Sequence, residues 1–143
     1  MKVLNVYGQT PVVTIVNDRD IKFAQRCYID VITDEGCLGY DILPGFITNG
    51  RSGTGLIDGF IPHFGNQSIL TAWVIHDINY YECLSKDLAD EVLRQMLVKS
   101  GMSRFKASLV KKSVQWFGDN AYGLTTEEDF DMYSKVNFKW DCK

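Results

Sequence analysis

The 143-residue chain is poor in the residues that announce the commonest site chemistries. It has two histidines, four cysteines and three prolines. Cys27, Cys37, Cys83 and Cys142 stand far apart with no C-x-x-C pair, so a structural zinc site is not expected. Scattered cysteines of this kind read instead as free thiols of a reducing cytoplasm. Every apolar run falls short of the roughly 18 residues that cross a bilayer. The opening MKVLNVYGQT has neither an apolar h-region nor a small-residue cleavage site, so no signal peptide is expected. A net charge of −3 supplies no positive excess, and neutralising phosphates needs one, so no dedicated nucleic-acid surface is expected. The basic residues between Lys99 and Lys112 read as the solvated face of a helix. There is no internal repeat and no low-complexity stretch.

What is present fits a globular chain. Hydrophobic residues make up 45% and aromatics 13% of the sequence, enough to bury a core, and the length suits one domain over 1–143. Residues 1–48 are β-rich: Val3 to Tyr7, Val12 to Val16, Ile21 to Phe23, Cys27 to Ile32 and Leu38 to Ile42 are short β-branched or aromatic runs. Turn-forming clusters separate them, among them Gly8 to Pro11 and Thr33 to Gly36. The stretch 45–65 holds six glycines in 21 residues and reads as a long loop rich in backbone donors and acceptors.

Residues 66–118 read as helical. Asn66 or Ser68 caps a helix running to about Cys83. Ser85 caps a second helix, with Asp87 in its first turn to complement the macrodipole. Leu88, Ala89, Val92, Leu93, Met96 and Leu97 recur there at helical spacing until Gly101 ends it. Ser103 caps a third helix through Phe105, Leu109, Val110, Val114 and Phe117, stopping at Gly118. In the 119–143 tail, Glu127 to Asp131 is acidic, and the end reads as a final strand or an extended arm. The expected fold class is α+β, with N-terminal antiparallel strands packed on a three-helix portion that contains an antiparallel helical hairpin.

The hairpin carries the one constellation with chemical potential. Few residues separate its two helices, so they run back antiparallel. Folding about Leu84 brings His76 and Tyr80 on one arm near Lys86 and Asp90 on the other. His76 and Tyr80 lie one turn apart on one face, with Asp77 about 100° round. A carboxylate at Asp90 could accept the His76 Nδ1–H and leave Nε2 as a base for a hydroxyl or water. Tyr80 could hold Asp90 through its phenol. Asp77 could bind a hard cation, completed by carbonyl oxygens of the glycine-rich loop. The bland reading is a satisfied polar pair that specifies helix packing. His63, in Pro62-His63-Phe64, reads as a loop histidine, and Tyr81, Trp73 and Trp116 as core or rim aromatics.

The order Pro44-Gly-Phe-Ile-Thr48, Ser52, Ala72-x-x-x-His76-Asp77-x-x-Tyr80, Ser85-x-x-x-Ala89-Asp90, Met96, Gly101 and Phe117-Gly118 resembles the phage and prophage family known as domain of unknown function 1353. The likeness runs from about Leu43 to Gly123 and implies a virus-encoded protein. The site alone, His-Asp-x-x-Tyr followed by an aspartate on an antiparallel helix, is similar to phospholipase A2 enzymes. That likeness implies His76 as the base for water, Asp90 as the group that orients it, with Tyr80 supporting Asp90. It also implies Asp77 as a Ca²⁺ ligand, joined by loop backbone at Gly50, Gly53 and Gly55.

Two function classes follow. One is a Ca²⁺-assisted hydrolase acting on an ester or lipid. The other is a non-enzymatic phage accessory or virion protein that meets other phage or host proteins and uses the same residues as a buried polar network. Location in the host cytoplasm, or incorporation in the virion, suits either.

Overall fold

The computed structural model describes residues 1–16, 20–48, 67–82, 84–117 and 132–142. Most of the glycine-rich loop, with Gly50, Gly53, Gly55 and His63, lies outside the described residues, as does Glu127 to Asp131. The chain forms two compact units, Met1–Thr48 with Thr125–Lys143, and Asn49–Leu124.

The first unit is antiparallel β-structure. Strands β1 (Val3–Gly8), β4 (Cys27–Thr33), β5 (Gly36–Ile42) and β7 (Val136–Cys142) make a four-stranded sheet in the order β1-β4-β5-β7. The short strands β2 (Val13–Ile15), β3 (Ile21–Phe23) and β6 (Ile47–Thr48) make a second sheet in the order β2-β3-β6. Along β4 and β5 residues alternate between buried and more exposed, the period-two pattern of a sheet with one covered face. Ile29, Val31, Leu38, Tyr40 and Ile42 fill that face. Strand β7 settles the choice between strand and arm at the C-terminal end: it pairs with β5 over seven registered positions, from Gly36↔Cys142 to Ile42↔Val136. Phe46 packs against Phe23 and Tyr133, at ring separations of 5.8 and 5.3 Å.

The second unit holds helices α1 (Gln67–Tyr81), α2 (Lys86–Lys99) and α3 (Arg104–Phe117). The α+β class is therefore as expected, and α1 and α2 pack as a hairpin. The terminators work as their residue types dictate. After α2, Met102 N–H donates to Leu97 O and Gly101 N–H to Val98 O, both at 3.1 Å, with Gly101 at φ +105°; this is a Schellman ending. Ser103 Oγ accepts from Lys106 N–H at 3.2 Å and caps α3. Ser85 stands at the α2 N-cap position, yet its hydroxyl makes no capping hydrogen bond.

Burial departs from expectation in α3, at Phe105. In α3 the buried positions are Ala107, Val110 and Val114, whereas Phe105 and Trp116 are each 73% exposed. In α1, by contrast, Leu70, Ala72 to His76 and Ile78 to Tyr80 are all buried. A helix covered nearly all round is a central helix, and its polar side chains must find partners inside the protein.

Gly8 and Gly101 test backbone geometry at opposite extremes. Gly8 sits at φ +143°, and a Cβ there would lie 2.2 Å from Tyr28 O. Gly8→Ala should break the β1–β4 edge and cost about 2 kcal/mol or more. Gly101 has positive φ but nothing within 4 Å of a Cβ, so Gly101→Ala should cost only about 1 kcal/mol. Denaturant titration of both variants measures the difference.

Candidate functional site

Three side chains of the helical unit converge on the Asp90 carboxylate. His76 and Tyr80 come from α1, one turn apart, while Lys86 and Asp90 are the first and fifth residues of α2. His76 Nε2 lies 2.8 Å from Asp90 Oδ1. Tyr80 donates its phenol to the same oxygen. Lys86 Nζ donates to the other oxygen, Oδ2, at 3.0 Å. His76 and Asp90 are both 0% exposed.

The rings hold each other in place. The His76 and Tyr80 ring centroids are 4.1 Å apart. Trp73, one turn earlier, meets the imidazole edge-on at 5.7 Å. Its Nε1 is buried with no hydrogen-bond partner among the described residues.

Burial pushes the Asp90 carboxyl toward protonation, but hydrogen bonds from His76, Tyr80 and Lys86 outweigh it. The group is held below the ordinary carboxylate range and carries its charge at neutral pH. An anion there fixes the tautomer of a neutral imidazole: the proton sits on Nε2, facing the carboxylate, and the basic lone pair is on Nδ1. This corrects the expectation that Nδ1 would face Asp90 and Nε2 would be the base. Both orientations put a carboxylate beside a ring nitrogen, and the spacing of residues along two helices does not distinguish them.

Asp77 lies on α1 next to His76 and is half-buried. A carboxylate is a suitable hard ligand for Ca²⁺, but one carboxylate is not a site. Among the described residues no group of three or more His, Cys, Asp or Glu could hold a metal ion. Gly50, Gly53 and Gly55 fall outside those residues.

The next residue after Asp90 builds a second, different cluster. Glu91 accepts from Arg94 Nε at 3.0 Å, Gln95 Nε2 at 3.1 Å and Lys111 Nζ at 2.6 Å, tying α2 to α3. With no histidine and about a quarter of the side chain exposed, it has the makings of a structural ion cluster. Sequence reasoning passed over it, although the i,i+3 Glu91–Arg94 spacing was a usable signal.

A family model described as a protein of unknown function, DUF1353, matches residues 27–114. Neither a curated protein nor a solved structure matches the chain.

Arg94, with help from Lys111 and Gln95, holds the Glu91 carboxyl at about 2 against the opposing effect of burial, below its ordinary 4.5. A folded-state value below the unfolded one means stability is full above pH 4.5 and is lost as pH falls toward 2. Glu91→Gln should therefore lower stability at pH 7 by about 1–2 kcal/mol, discounted for partial exposure. It should also flatten the acid limb, leaving the smaller loss due to Asp90. Denaturant midpoints measured from pH 7 to pH 2 check both points.

Proposed function

The chain belongs to the DUF1353 family, whose function is unknown, and from its site we propose that it is a hydrolase of esters or lipids in which His76 is the base. The observation that carries the reading is the 2.8 Å contact between His76 Nε2 and a charged Asp90 that is itself held by Tyr80 and Lys86. An imidazole oriented in this way takes a proton from water or a hydroxyl at Nδ1. The imidazolium so formed is stabilised by the anion at Nε2. Tyr80 and Lys86 keep the carboxylate from turning away. A Ca²⁺ ion bound at Asp77 with loop oxygens from Gly50, Gly53 and Gly55 would polarise the substrate carbonyl. The likeness of the motif to phospholipase A2 supports this substrate class. Likeness to phage and prophage proteins supports a virus-encoded origin, with action in the host cytoplasm or from the virion.

One observation favours a second reading. His76 and Asp90 are fully buried, and a buried polar network can hold helices in register without turnover. In that reading the protein is a non-enzymatic phage accessory or virion component, and its partners are phage or host proteins.

The two readings separate in one experiment. Hydrolysis of phospholipid vesicles and of short-chain esters is assayed with Ca²⁺ and with chelator, beside thermal melts. The hydrolase reading expects Ca²⁺-dependent turnover, a higher melting temperature with Ca²⁺, and His76→Gln losing about 10²-fold or more in rate while folded. The network reading expects no turnover on any of these substrates, and His76→Ala costing about 1–3 kcal/mol through its orphaned partners.

A further inference from the structure

We propose that Lys86 is a positioning residue: its ammonium locks the Asp90 carboxylate against His76 and ties both to the C-terminal end of α3. Lys86 is the first residue of α2, where the positive end of the helix macrodipole disfavours a cation by roughly 0.3–1 kcal/mol. Its side chain is only 18% exposed, so the charge has also given up most of its water. Such a placement requires strong acceptors, and three stand among the described residues. Besides Asp90 Oδ2 at 3.0 Å, Nζ donates to Val114 O at 3.2 Å and Gln115 O at 3.3 Å.

An ammonium has three N–H bonds to donate. The two carbonyls belong to the last turn of α3, the negative end of that helix, where a cation is favoured. Nζ also lies 5.7 Å from the centroid of the Tyr80 ring, within cation–π range. Lys86 thus touches both α2 and α1 partners of the network while anchored to α3.

The consequence is geometric. Asp90 Oδ1 carries His76 and Tyr80, and without a donor on Oδ2 the carboxylate could rotate about its Cβ–Cγ bond and release the imidazole. With Lys86 in place, the orientation of His76 depends on where the end of α3 sits. The effect on turnover rests on the hydrolase reading, whereas the latch itself does not.

Histidine-selective ¹⁵N labelling tests it in the full chain, because His63 and His76 are the only histidines. The wild-type protein should show a downfield, slowly exchanging His76 Nε2–H resonance. Lys86→Arg, which keeps the charge and donors, should retain it. Lys86→Met should shift it upfield and speed its exchange about tenfold or more, as expected for loss of a hydrogen bond to a charged group. The backbone amides of Ile75 and Ile78, followed in uniformly ¹⁵N-labelled samples of the same variants, should meanwhile exchange at the wild-type rate, which a general loosening of α1 would not allow. Should Lys86→Met fail to fold, Lys86→Gln is expected to show the same loss. A wild-type resonance and exchange rate in the folded neutral variant would overturn the latch. Vesicle hydrolysis on the same samples separates the readings. A latch that responds in a protein without turnover sinks the hydrolase alone. A neutral variant with full kcat and an unaltered resonance sinks the latch alone.

Discussion

The helical unit is organised around the cost of burying the charge on Asp90. Taking a carboxylate out of water costs several kcal/mol even after the protein relaxes, and only well-placed donors offset it. Three donors converge here, from His76, Tyr80 and Lys86, and hydrogen bonds to charged groups contribute about 1.5–3 kcal/mol each. The compensation is sufficient to keep the group ionised, as the lowered position of its titration shows. It also sets register. A slip of one residue along α1 would turn His76 and Tyr80 by about 100° and leave the anion without two of its donors. The apolar burial around α1 has no such discrimination, because Ala72 to Ile75 would remain covered in many arrangements.

Asp90 and Glu91 are adjacent in sequence, have similar numbers of donors, and stand for different kinds of site. Glu91 meets an arginine, a glutamine and a lysine, with about a quarter of its side chain exposed. Such a cluster fastens α2 to α3. Asp90 meets an imidazole, and both side chains are fully buried. The low local polarity strengthens the coupling between the two groups. Burial thus sharpens the orientation of His76 against Asp90. The half-buried Asp77 shows that α1 is not sealed along its whole circumference.

Local rules made much of the fold legible. Ser103, Gly101 and the apolar spacing of α2 placed helix ends to within a residue or two, because caps and Schellman endings depend on a few neighbouring atoms. Strands β4 and β5 were legible as short β-branched or aromatic runs between turn-forming clusters. The nearness of His76, Tyr80 and Asp90 followed from a short connection between antiparallel helices. What could not be read depended on distant chain. Strand β7 joins β5 across more than ninety residues of sequence, and the two-residue β6 has too few positions to show any period. The burial of α1 on nearly all sides, the exposure of Phe105, and the choice of Nε2 over Nδ1 are set by what packs around each residue. Lys86 is a further case, since its position at the start of a helix conflicts with local preference and makes sense only with the α3 carbonyls in view.

The extent of the family match divides the protein in an informative way. Residues 27–114 contain His76, Asp77, Tyr80, Lys86, Asp90, Glu91 and Lys111, and end at Val114. The carbonyl of that last matched residue is one of the acceptors of Lys86. The polar network is therefore inside the matched region except for its contact with Gln115, and that contact uses a backbone carbonyl that any residue would supply. The four-stranded sheet is different. Its middle strands, β4 and β5, are matched, whereas both outer strands, β1 and β7, fall outside. Outer strands pair through main-chain groups and need only a compatible alternation of side chains, so many sequences can provide them. A buried carboxylate has no such freedom: it needs particular donors at particular places, and all of its side-chain donors lie within the matched segment.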